Sequence, residues 1–203
     1  MAYRETALVS QRKAELRERL LQSAESLVRD GGFRALTIQA LASDAGVSVG
    51  SVYRYFKNKD QLATEVFSHA TRRELRAVNA ALAQGDSDAL RLRRGVTVFA
   101  ERAFRAPQFA WALIAEPVDP AVDEARLHFR REYTGLFAAV IQQGIDRGEF
   151  VAQSASLTAA ALVGALAESL LGPLVATQRN TATIDELCRF CLRAVGITEE
   201  SRG

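Results

Sequence analysis

Cysteine, histidine and proline are scarce in this chain, at two, two and four residues among 203. The two cysteines, Cys188 and Cys191, have no second pair to complete a four-ligand metal site, so no metal is expected. With only His69 and His128 present, general-base chemistry has few candidates, and nothing in the sequence sets either beside a nucleophile. Few prolines, scattered β-branched residues and apolar residues at helical spacing leave little room for strands and predict an all-α chain. The formal charge of +2 is too small to mark a strongly basic nucleic-acid binder, although the excess falls within the first 75 residues. No internal repeat or low-complexity linker is visible. Arg4 and Glu5 lead into a charged amphipathic segment rather than an apolar run, so no secretory signal is read and the cytoplasm is the expected compartment. What is present is 48% apolar residues over 203 positions, enough for a packed core.

The most informative stretch runs from Thr37 to Tyr55. Leu41, Ala45, Val47 and Val52 supply the apolar contacts by which two short helices pack at a steep angle, flanked by Leu36 and Ile38. Ala42 falls at the expected crossing, where a larger side chain would push the second helix away. Gly46 suits the left-handed conformation that ends the first helix, and Ser48 suits the cap of the next. Outside the buried face remain Val49, Gly50, Ser51, Tyr53, Arg54 and Tyr55: a small-residue helix tip followed by hydrogen-bonding and basic groups, as the major groove requires. An ordinary helical hairpin with a polar outer face has the same local pattern. The flanks decide between them. Upstream, Leu16, Leu20, Ala24 and Leu27 predict a supporting helix over 11–29. Downstream, Asn58 and Gln61 have capping-box spacing for a long helix over 59–83, whose first amides and Lys59 can hold a phosphate.

With Gly32-Phe33, Thr37-Ile38, Ala45-Gly46-Val47-Ser48, Tyr53-Arg54-Tyr55-Phe56 and Lys57-Asn58-Lys59, residues 14–66 resemble the DNA-binding domain of the tetracycline-repressor (TetR) family of bacterial transcription regulators. The resemblance implies an all-α homodimer: a helix-turn-helix domain over residues 1–58 and a helical ligand-binding and dimerisation domain over 59–203. It implies phosphate contacts from Thr37, Tyr53, Tyr55 and Lys59, and base or groove contacts from Gln39, Val49, Gly50, Ser51 and Arg54, with Ser48 at the same helix tip. The implied partners are operator DNA, a second copy of the chain and an unidentified small-molecule inducer, with no cofactor, no membrane and no enzymatic activity. Val49 and Gly50 depart from a hydrogen-bonding tip, so methyl contacts, Gln39 and DNA shape must carry more of the specificity.

Beyond the reader, helices are predicted over 87–105, 107–115, 120–147, 154–177 and 184–195, starting at Asp86, Pro107, Asp119, Ser154 and a Thr183/Glu186 box. The apolar run 155–175 is long enough to span a bilayer, but Glu168 inside it makes a buried or subunit-interface helix the better reading. A dimer surface is expected from Ala159, Leu162, Val163, Ala167, Leu170 and Leu171 with Ile184, Leu187 and Leu192; the alternative is that they complete the chain's own core. Inducer contacts are sought among Phe99, Phe104, Trp111, His128, Tyr133 and Glu168 in the helices around the 86–105 and 120–147 pair. The arginines at 126, 130 and 131 form an anion site only if they face inward; as a run on an amphipathic helix they read as solvated or paired.

Two motifs suggest enzymes and are set aside. Gly46-Val47-Ser48-Val49-Gly50 fits a hydrolase nucleophile elbow, but an elbow needs a strand before the serine and a helix is predicted there. Cys188-Arg189-Phe190-Cys191 lies inside a predicted helix rather than opening one after a strand, so the thiols read as small buried apolar groups. Besides the regulator, two readings stay open: a small-molecule-binding helical protein without DNA binding, and a hydrolase using Ser48.

Overall fold

The computed structural model describes residues 7–175 and 181–197, and these form helices throughout, with no strand among them. The order is α1 (Ala7–Gly31), a single 3-10 turn (Phe33–Ala35), α2 (Ile38–Asp44), α3 (Val49–Val52), α4 (Lys59–Leu82), α5 (Asp88–Arg105), α6 (Pro107–Ile114), α7 (Pro120–Asp146), α8 (Ala155–Val175) and α9 (Thr181–Ala194). The all-α expectation, about nine helices with a helix-turn-helix at the front, holds.

Caps set most of the starts. The hydroxyl of Ser48 accepts from the Ser51 amide at 3.2 Å, and Asn58 Oδ1 accepts from the Gln61 amide at 2.8 Å. Gln61 Oε1 reaches back to the amide of Lys57 rather than that of Asn58, one residue earlier than a standard box. The α5 cap is Ser87, not the expected Asp86, and the carboxylate of Glu149 takes the amides of Asp88 and Ala89 at 2.8 Å each. Asp119 occupies the cap position of α7 without a side-chain bond. Thr183 lies inside α9, which begins at Thr181, so the predicted box does not open that helix. The expected end of the preceding helix at 177 lies outside the described residues.

Two apolar clusters form. The first gathers Leu20, Ala24, Val28, Leu36, Leu41, Val52, Phe56, Leu62, Val66 and Phe67 behind the reading helices, and draws Phe109, Ala112, Val122 and Phe129 from α6 and α7. The second runs from Val78 and Leu82 through Val96, Phe137, Ile141, Leu162, Leu166 and Leu170 to Leu187, Cys191 and Val195. α4 contributes to both, its first half to the reader and its last turns to the bundle. α8 is long and apolar enough to cross a membrane by length and composition; here it packs on α5, α6 and α7.

Candidate DNA-reading surface and ligand cavity

The reading surface is built as its sequence requires. Ala42 and Val52 are buried where α2 meets α3, and the amide of Val47 closes the turn on Ala42 O at 2.9 Å. Gly46 takes φ 65°, a left-handed value that residues with a Cβ adopt at a cost. Thr37 caps α2 through the Ala40 amide at 3.0 Å. The consequence is an outward array: Thr37, Gln39, Ser48, Val49, Gly50, Tyr53, Arg54 and Lys59 are exposed, with Tyr53 at 51%. Ser51 and Tyr55 are half-buried, and the Ser51 hydroxyl lies 2.9 Å from that of Ser48. Ser48 is therefore a helix cap engaged with its neighbour, not a serine projected from a sheet.

A cavity of about 340 Å³ opens between α4, α5, α6 and α7, with α8 at its far wall. Phe99 and Tyr133, two of the six residues expected at a ligand site, line it, and their rings meet edge to face at 5.7 Å. The other four do not line it. His128 is exposed on the outer face of α7 and pairs with Glu132 at 2.8 Å. Glu168 is exposed on α8; Phe104 is spent in the bundle core; Trp111 sits half-buried on a face of α6 away from the cavity. In each case helical phase decides: on α7 the inward stripe is Arg126, Phe129, Arg130 and Tyr133, and His128 is rotated off it.

Sequence reasoning did not foresee most of the lining. Phe67, Thr71, Glu74 and Val78 come from α4, Phe109, Ala110, Leu113 and Ile114 from α6, and Arg29 from α1. Arg126 and Arg130, read as solvated or paired, face the cavity. Burial holds the Arg126 guanidinium below its ordinary range, while Asp123 pulls it upward; its nitrogens also donate to the main-chain oxygens of Leu113 at 3.0 Å and Glu116 at 2.9 Å. Arg102 is raised, chiefly by its bond to Glu74, and burial pushes the Tyr133 phenol upward. Thr71 Oγ1 has no hydrogen-bond partner although the residue is only 7% exposed.

A carboxylate ties this cavity to the reader. Glu116, just past α6, is 5% exposed and accepts from the amides of Phe33 at 2.8 Å and Arg34 at 3.3 Å, in the turn that leads into α2. Gly32, at φ 72°, makes room for it: a Cβ there would sit 2.7 Å from both carboxylate oxygens.

The residues expected at a subunit interface divide. Ala159, Leu162, Val163, Leu170, Leu187 and Leu192 are buried in the chain's own core, and Ala167, Leu171 and Ile184 are half-buried. They complete the monomer, because an apolar helix such as α8 does not reveal by periodicity which stripe faces inward. The outward stripe of α8 is Leu157, Ala160, Ala161, Gly164 and Glu168, with Leu157 at 71%, and that of α9 is Glu186, Arg189, Phe190 and Arg193. Cys188 and Cys191 are free and buried inside α9; burial pushes the Cys191 thiol up to about 12, so both behave as apolar filling.

These features define a helix-turn-helix protein whose reading unit is mounted on a helical bundle with an internal cavity. Residues 20–66 match the family model of bacterial regulatory proteins of the tetR family, and residues 85–170 match that of the tetracyclin repressor-like C-terminal domain. The chain belongs to the tetracycline-repressor (TetR) family. It is 42% identical over 53 residues to the HTH-type transcriptional repressor KstR2 of Mycolicibacterium smegmatis, covering 26% of each chain. It is also 34% identical over 82 residues to the repressor KstR of the same organism, covering 40% of each. The chain thus spans about a quarter and two fifths of the lengths of these curated relatives. The transcriptional regulator FadR from Bacillus subtilis, solved in complex with stearoyl-CoA, shares the fold at a TM-score of 0.76 and 16% identity, over 89% of this chain and 99% of that one.

Proposed function

We propose that this protein is a ligand-responsive, DNA-binding transcriptional regulator, a repressor released from its operator when a small molecule fills the cavity. The observation that carries the reading is the intact outward array from Thr37 to Lys59, backed by a buried core of its own. Small side chains at the tip of α3 admit close approach to base edges; Thr37, Tyr53, Tyr55 and Lys59 are positioned for phosphates, and Gln39, Ser51 and Arg54 for the groove. One such unit contacts too few base pairs to select a site in a genome, so two copies on a near-palindrome are required, their reading helices roughly 34–36 Å apart. The second copy is proposed to dock on the outward stripes of α8 and α9, where small residues and Phe190 face solvent. The reading unit ends near residue 58, and α4 is shared with the ligand-binding and dimerisation part. The protein works in the cytoplasm and carries no catalytic activity.

The switch follows from connectivity. α6 lines the cavity with Phe109, Ala110, Leu113 and Ile114, and Glu116 at its end holds the amides leading into α2. A ligand that displaces α6 moves that turn and, with it, the spacing of the paired tips. DNA affinity then falls by the difference in ligand affinity between the two spacings, and by no more. Anisotropy titration against the DNA upstream of its own gene tests the proposal: tight, sequence-selective binding that weakens with salt supports it. Weak binding without sequence preference supports instead a small-molecule-binding protein that does not read DNA.

A further inference from the structure

The cavity carries more positive charge than the fold consumes. Six arginines border it, against one glutamate, Glu74. Arg102 is committed to Glu74 at 3.0 Å, and Arg29 and Arg73 both bond the buried Glu25, at 2.7 and 2.8 Å. Arg126 has one carboxylate, Asp123, and otherwise donates to main-chain oxygens. Arg105 and Arg130 have no carboxylate partner among the described residues. Arg126 and Arg130 lie one turn apart on the inward stripe of α7, so two like charges are held close with little to compensate them. Arg130 accordingly adds to the downward push on Arg126.

The remaining wall is hydrocarbon. Phe99, Phe109 and Ile114 face the same space, and Tyr133 lies on the α7 stripe one turn beyond Arg130. A purely apolar occupant would leave guanidiniums against hydrocarbon, and a small hydrophilic anion would leave the rings wet. Thr71, a buried hydroxyl without a partner on the α4 wall, adds a donor that a bound oxygen would satisfy.

We propose that the cavity binds an amphipathic anion, its acidic headgroup on Arg126 and Arg130 and its hydrocarbon body along Phe99, Phe109 and Tyr133. The assignment rests on the reading of this cavity as the inducer site and names the chemistry of that inducer. The headgroup can be a free carboxylate or the phosphates of a coenzyme A thioester; both give guanidinium the oxygen acceptors it pairs with best.

Calorimetric titration of the full chain, without DNA, compares decanoate, decanoyl-CoA and 1-decanol, which differ in headgroup and share a body. At least one anion is expected to bind roughly tenfold or more tighter than the alcohol, as charge-assisted hydrogen bonds imply. Arg130→Gln, at an exposed position with no structural ion pair, should remove most of that advantage and leave the alcohol's affinity unchanged. Preference between acid and thioester identifies the headgroup. Alcohol binding as tight as that of both anions, failure of both anions to bind, or an anion preference that survives in Arg126→Gln/Arg130→Gln overturns the assignment. Release of operator DNA by decanol alone would overturn it and leave the ligand-responsive reading standing. Absence of selective DNA binding would sink that reading and leave the calorimetric comparison intact.

Discussion

The reader and the cavity are built in opposite ways. Every group in the reading surface comes from a stretch of fewer than 30 residues, where caps, a left-handed glycine and one small crossing residue fix the geometry locally. The cavity draws its wall from Arg29 to Ala167, and each lining residue arrives there by the phase of a different helix. Local construction makes a surface independent of its support, whereas distributed construction lets an occupant of the cavity press on several helices at once. Glu116 is where one is made to feel the other.

The comparison breaks most sharply at that joint. Glu116→Ala strips the amides of Phe33 and Arg34 of their buried acceptor and should cost about 2–3 kcal/mol, measured by urea denaturation. The same variant should keep its ligand affinity while losing much of the ligand's effect on DNA binding. A change of less than about 0.5 kcal/mol would mean that the joint does not couple the two regions.

pH separates the regions next. Cys191 belongs to the bundle core alone, and its folded thiol titrates near 12 against about 9 when free. A folded value raised above the unfolded one gives stability that is complete below about 9 and is lost as pH climbs toward 12, at up to ~1.4 kcal/mol per pH unit. Cys191→Ala should flatten that part of the pH profile.

Lys59 belongs to the reader alone. Lys59→Ala should weaken binding to every sequence by about 1 kcal/mol and lower the salt slope by about 1, with ligand affinity untouched. Changes at Gln39 or Ser51 should instead alter which sequence is preferred. The smallest expected effect is at the border, where Thr71→Val removes an unpartnered buried hydroxyl: stability should stay within roughly 0.5 kcal/mol of the parent or rise, while affinity for an oxygen-bearing ligand falls.

The same contrast explains what could be read in advance. Thr37 to Lys59 was legible because its signals are local in sequence: Ser48 and Asn58 cap where they should, and Ala42 is buried where it should be. The all-α architecture was legible from periodicity, with ends shifted where an unforeseen partner such as Glu149 took over a helix start. The cavity was not. His128 and Glu168 looked like polar groups among apolar neighbours, but their position around the helix sends them to solvent. The buried stripe of α8 could not be told from its exposed one, because leucine and alanine occupy both and neither periodicity nor composition separates them. Arg126 and Arg130 were visible as an arginine run, yet only the fold turns them inward.

The most direct test is a salt-resolved anisotropy titration of the full chain on DNA upstream of its own gene, with scrambled duplex as competitor and the complex sized by light scattering. The account predicts selective binding of two chains per site, weakening steeply with salt and abolished when Tyr53 and Lys59 are both replaced by alanine. Equal affinity for the scrambled duplex, or selective binding that survives that double replacement, would contradict it.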